Sequence, residues 1–149
     1  MTLNEYFKKA TLYPTMVAMV AVIIFSIIDN YNYKSEWMDA GMVVMLTIVA
    51  ALVYCLIVTL LSLPIFLVTY PKINQSKIAT FLSWFLLPFG FIAVVLIDEM
   101  SFKIKYNRDY TYLVYIILIN IPFIIALIGT YWKYNKNKNA TEAFVINGK

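Results

Sequence analysis

Charged side chains divide this chain into four apolar runs joined by short polar connectors. The run that organises the rest is Ala40–Tyr70, thirty-one residues without one charged side chain. As a helix rising about 1.5 Å per residue it is about 46 Å long, against a bilayer hydrocarbon core of about 30 Å. That is enough to cross once and too little for two crossings with a turn between. The other runs are about Leu12–Ile28, Ile78–Ile97 and Tyr110–Trp132. The pattern predicts an all-α fold: an integral-membrane bundle of four transmembrane helices, one domain over residues 1–149, with a polar tail from Lys133 to Lys149.

Local signals refine this picture. Thr2 and Glu5 have capping-box spacing, and Leu3, Tyr6, Phe7 and Ala10 share one helical face with Lys8 and Lys9 on the other. The reading is a short helix lying on the membrane surface, or else a frayed terminus. Span one then starts with Pro14 near its first turn, where a missing N–H costs little. Its end, Phe25-Ser26-Ile27-Ile28, lacks the small-residue pattern of a signal-peptide cleavage site, so the span reads as an uncleaved anchor. Pro64, Pro88 and Pro122 fall inside spans two, three and four, and each predicts a kink. In the connector Asp98–Asp109, Phe102, Ile104 and Tyr106 alternate with Lys103 and Lys105, a strand-like period of two closed by a turn at Asn107-Arg108-Asp109.

Composition supports the membrane class. Hydrophobic residues make up 62% of the chain and charged residues 13%, against about 45–50% and 25% in soluble domains. The formal net charge of +4 does not point to nucleic acid, because the charges sit in connectors rather than on one face. They do set an orientation. Eight Lys/Arg lie in the N-terminal segment, the connector after span two and the tail; four lie in the other two connectors. The positive-inside rule then places both termini in the cytoplasm, in what reads as a bacterial cytoplasmic membrane. Aromatic belts mark the span ends: Tyr13, Tyr70, Trp84, Tyr131 and Trp132 at one interface, Tyr31, Tyr33, Trp37, Phe102, Tyr110 and Tyr112 at the other.

Absent residues restrict the chemistry. There is no histidine, one cysteine (Cys55), and four isolated glycines. His-ligated haem, ordinary zinc sites, Ser-His or Cys-His catalysis and phosphate-binding loops are therefore excluded. No Asp, Glu, Lys or Arg lies within the four runs, which argues against ion-coupled transport. Neither catalytic residues nor a cofactor or metal site are expected. Asp98 and Glu99 are adjacent acids, but neighbours on a helix point about 100° apart and do not converge on one substrate.

Two constellations remain. Asn120 and Pro122 sit mid-span, with Pro64 and Pro88 as the other interior breaks. They line either a polar midplane site in a broken helix, or a structural kink with Asn120 bonded to a neighbouring helix. At the predicted outer face, Asp29, Trp37, Asp39, Asp98, Glu99, Arg108 and Asp109 form either an interaction surface or a cation-selecting acidic mouth; ordinary ion pairs in a solvated loop are the plainer reading. Both outer connectors begin and end with Asp, which would also fit a repeated hairpin. The expected function is non-enzymatic: binding a protein partner within the bilayer, as an accessory subunit or a small immunity-type protector protein. The alternative is an oligomeric channel, pore or uncoupled carrier.

Overall fold

The computed structural model describes residues 2–31, 38–106 and 110–147. Its regular structure is entirely helical: α1 (Leu3–Asp29), α2 (Ala40–Leu61), a 3-10 helix (Leu63–Thr69), α3 (Pro71–Gln75), α4 (Lys77–Tyr106) and α5 (Thr111–Asn147). Four segments are long and apolar enough to cross a membrane: Leu3–Asp29, Ala40–Thr69, Lys77–Phe102 and Thr111–Asn139.

The longest interface pairs α1 with α5. Tyr6 meets Tyr134 edge-on at 5.5 Å between ring centres, and Phe25 meets Tyr115 at 5.0 Å. As the number rises along one helix it falls along the other, so the two run antiparallel over almost their whole length. The N-terminus of α1, α3 and the C-terminal turns of α5 therefore share one end of the bundle, here the lysine end. Asp29, Asp39 and the start of α5 share the other, the aspartate end.

Two core layers stack along the axis. Near the lysine end, Tyr6, Ala10, Ile65, Val68, Trp84, Phe85 and Leu127 pack together. Nearer the middle, Ala18, Val22, Ala51, Cys55, Val58, Ile119 and Phe123 form the second. Trp84 is fully buried, with Tyr131 and Tyr134 stacked around it at 5.6 and 5.5 Å. It is a core residue rather than part of an interfacial belt; Tyr70 and Trp132 remain well exposed at that end.

Three local expectations change. The capping box forms: Thr2 Oγ1 accepts from the Glu5 N–H at 3.4 Å, and the Thr2 N–H donates to Glu5 Oε2 at 3.1 Å. However, α1 then runs on unbroken to Asp29, so there is no separate surface helix and Pro14 lies well inside the helix rather than in its first turn. The face carrying Tyr6 and Ala10 is covered by α4 and α5 instead of head groups. The alternating stretch at Phe102–Tyr106 is helix, the last turns of α4. No strand is available among the described residues to pair with it, and helix extension satisfies each backbone group locally. The polar tail is also helix through Asn147, because no Gly or Pro occurs between Gly129 and Gly148. Its turns dock back: Tyr134 OH donates to Asn74 Oδ1 at 3.0 Å, Asn137 Nδ2 donates to Tyr6 OH at 2.6 Å, and Lys138 Nζ donates to the Asn74 carbonyl.

Helix ends are closed by side chains. Asp39 is the N-cap of α2, its Oδ1 accepting from the Met42 N–H at 2.7 Å. Ser62 ends α2 by donating to the Val58 carbonyl at 2.8 Å, and the chain tightens into the 3-10 helix with Pro64 in its first turn. Asp39→Ala should lower stability by about 1 kcal/mol through the lost cap, whereas Trp84→Ala should cost about 3–5 kcal/mol through the cavity left behind. Unfolding of the purified protein in detergent measures both; equal costs would contradict this assignment of cap and core.

Candidate functional site

At mid-height, one polar pair joins two helices. Asn120 is buried, and its carboxamide faces Tyr54 of α2. Tyr54 OH donates to Asn120 Oδ1 at 3.1 Å and accepts from Nδ2 at 2.8 Å; Nδ2 also donates to the Ile116 carbonyl at 2.8 Å. Of the two arrangements foreseen for Asn120, the geometry is the bonded one. Pro122 lies half-buried on the next turn, and Val22, Cys55, Ile119 and Phe123 fill the layer around the pair. Pro88 is fully buried in α4, and Pro64 lies half-buried where α2 gives way to the 3-10 helix. The three prolines thus sit on three separate elements.

The candidate acidic surface is dispersed. Asp29 ends α1 and is exposed; Asp39 caps α2; Asp98 is exposed on α4. Trp37, Arg108 and Asp109 lie outside the described residues. No three of the described Asp, Glu or Cys side chains come together as a metal-binding group. Glu99 differs from its neighbour. It is half-buried and turns into a cavity of about 240 Å³ between α2, α4 and α5, lined also by Thr47, Tyr54, Tyr112, Tyr115 and Ile119. Tyr54 is thus shared between this cavity and the Tyr54–Asn120 pair. Behind it, at the α1–α5 seam, Tyr115 lies beside Ser26, Asp29 and Asn30. Neither Tyr115 OH nor the fully buried Ser26 Oγ holds a partner at bonding geometry.

A larger feature lies on the outside of the bundle. Phe81, Leu82, Phe85, Leu86, Phe89 and Gly90 of α4, with Ile128 and Tyr131 of α5, line an apolar groove of about 650 Å³. Gly90 is exposed, and a Cβ built on it would meet no atom within 4 Å. Sequence reasoning missed this groove and the role of Tyr54. The groove had a signal: Phe81, Phe85 and Phe89 recur every four residues and must share one face of a helix. Tyr54 had none, since its partner lies 66 residues away on another helix.

No family model matches the chain, and no match is found among curated proteins or solved structures. Function must be argued from the geometry.

If Tyr54 and Asn120 act as one unit, Tyr54→Phe and Asn120→Leu should each destabilise the bundle, and the double variant should lose less than the two combined. A coupling of about 0.6–1.7 kcal/mol is expected for a hydrogen bond between membrane helices. A double-mutant cycle on detergent-solubilised protein measures it; strict additivity would show that the pair contributes nothing jointly.

Proposed function

We propose that this is an integral-membrane protein that acts without catalysis, by binding a transmembrane helix of another protein in the groove between α4 and α5. The observation that carries the reading is the groove itself. It runs from Phe81 to Ala93, about 18 Å along α4 and more than half of a hydrocarbon core. Aromatic rings line it, and Gly90 and Ala93 leave it low toward its Ala93 end. Small residues let a second helix approach closely, and close packing rather than hydrophobicity drives association in lipid.

Insertion in a bilayer is part of the proposal, and the distribution of side chains supports it. Polar side chains such as Ser26, Ser62, Thr80 and Asn120 are buried, while Val20, Leu46, Leu56, Leu86 and Ile125 are exposed. Water would reverse that preference; a lipid solvent favours it. The lysine end gathers Lys8, Lys9, Lys72, Lys77, Lys133, Lys136 and Lys138, so it is assigned to the cytoplasmic side. The 3-10 helix at Pro64, with Pro88 and Pro122 inside α4 and α5, is consistent with bent spans. An accessory subunit and a membrane protector protein would both use such a groove. A channel through a single chain finds no support, since Val22, Cys55 and Phe123 fill the middle layer; a pore formed between copies is the alternative reading.

Affinity purification in mild detergent from native membranes should return a stoichiometric partner. Ala93→Phe, which raises the groove floor, should release it without lowering the melting temperature. A partner retained by Ala93→Phe would move the interface elsewhere. A clean homo-oligomer would favour a second copy as occupant, and the pore reading with it. Recovery of lipid alone would end the proposal.

A further inference from the structure

The cavity between α2, α4 and α5 combines features that the groove lacks. Glu99 is the one charged side chain that lines it among the described residues. Three tyrosines, Tyr54, Tyr112 and Tyr115, supply aromatic rings around the same space, and Ala50, Ala51, Ile116 and Ile119 supply apolar wall. Along each helix these residues lie between the level of the Tyr54–Asn120 pair and the aspartate end. Tyr112, the lining residue of α5 nearest that end, is exposed. At about 240 Å³ the space is smaller than the roughly 300–1,000 Å³ usual for drug-sized ligands, so it suits a small head group.

Aromatic rings lining a space beside a carboxylate suit a large, weakly hydrated cation. Aromatic cages for methylated ammonium groups work this way. A metal ion is a poor fit, because among the described residues Glu99 is the one carboxylate in the lining and hard cations require several oxygen ligands. An anion is excluded by Glu99. We propose that this cavity binds the ammonium head of a small organic cation, with Glu99 as counter-charge and Tyr112 as the aromatic face at its mouth. The site is separate from the α4/α5 groove and does not depend on partner binding there.

The ammonium can belong to a free alkylammonium ion or to a lipid head group reached from the bilayer interface. Tetramethylammonium serves as the probe, followed by saturation-transfer NMR on protein in an uncharged maltoside detergent. Wild-type protein should bind it saturably. Glu99→Gln, which keeps size and removes charge, should weaken binding by about tenfold. Tyr112→Leu should weaken it comparably, and Tyr112→Phe should restore it, since the ring and not the hydroxyl is required. Asp98→Asn should have no effect, because Asp98 is exposed and does not line the cavity. Melting curves of each variant separate loss of binding from loss of fold.

The proposal is overturned by absence of saturable binding to the wild type, by unchanged binding in Glu99→Gln, or by an equal loss in Asp98→Asn, which would reduce the effect to surface charge. Repeating the titration in nanodiscs identifies the source. Competition by phosphatidylcholine or phosphatidylethanolamine, but not phosphatidylglycerol, assigns the site to a lipid head group. Equal binding in all three assigns it to a free cation.

Discussion

Under the proposed insertion in a bilayer, a polar group that leaves its partner has nothing else to bond to, and that constraint accounts for where the polar groups of the bundle are placed. Backbone groups meet it by helix formation throughout the four long segments. Side chains meet it by turning inward. Thr11, Thr15, Thr47 and Ser62 each donate to a carbonyl one turn earlier on their own helix. Asn120 has more polar atoms than its own helix can satisfy, so it recruits Tyr54 and ties α5 to α2 at mid-height. At the lysine end, where water is again within reach, side-chain bonds from Tyr134, Asn137 and Lys138 hold the end of α5 against α1 and α3. Stability is therefore anchored at the middle and at one end. Toward the aspartate end lie the unpartnered hydroxyls of Ser26 and Tyr115 and the Glu99 cavity, while Trp84 Nε1 in the lysine-end core is likewise without a partner.

This division has a functional consequence. The surfaces that remain open are of two kinds. One is a long apolar groove without charge, suited to another helix. The other is a short cavity with rings and one carboxylate, suited to a cationic head. Neither contains a nucleophile with a base beside it, and the single thiol, Cys55, is packed in the middle layer.

How much of this could be read beforehand follows from the range of the forces involved. The four spans were legible because apolar run length is a local property, and the helices found coincide with them at their cores. The cap at Thr2 and Glu5 was legible for the same reason. Their boundaries were not, because α1 and α5 extend into polar sequence that docks on distant residues: Tyr6 on Tyr134 and Asn74 on Tyr134. Phe102–Tyr106 shows the limit of periodicity, since a period of two carries no strand without a partner strand. The need of Asn120 for a partner was evident from its position, but Tyr54 could be identified only from the packing of α2 on α5. Likewise Asp98 and Glu99 are adjacent in sequence, and only the fold shows that one faces outward and the other into a cavity.

The claim on which the account rests is that the α4/α5 groove holds another protein's helix. A photo-activatable side chain placed at Leu86, in the groove, and separately at Leu46, on the exposed face of α2, tests it directly in native membranes. The expected result is one discrete protein adduct from Leu86 and only lipid adducts from Leu46. Lipid adducts alone from both positions would mean that the groove faces the bilayer like the rest of the surface, and would contradict the account.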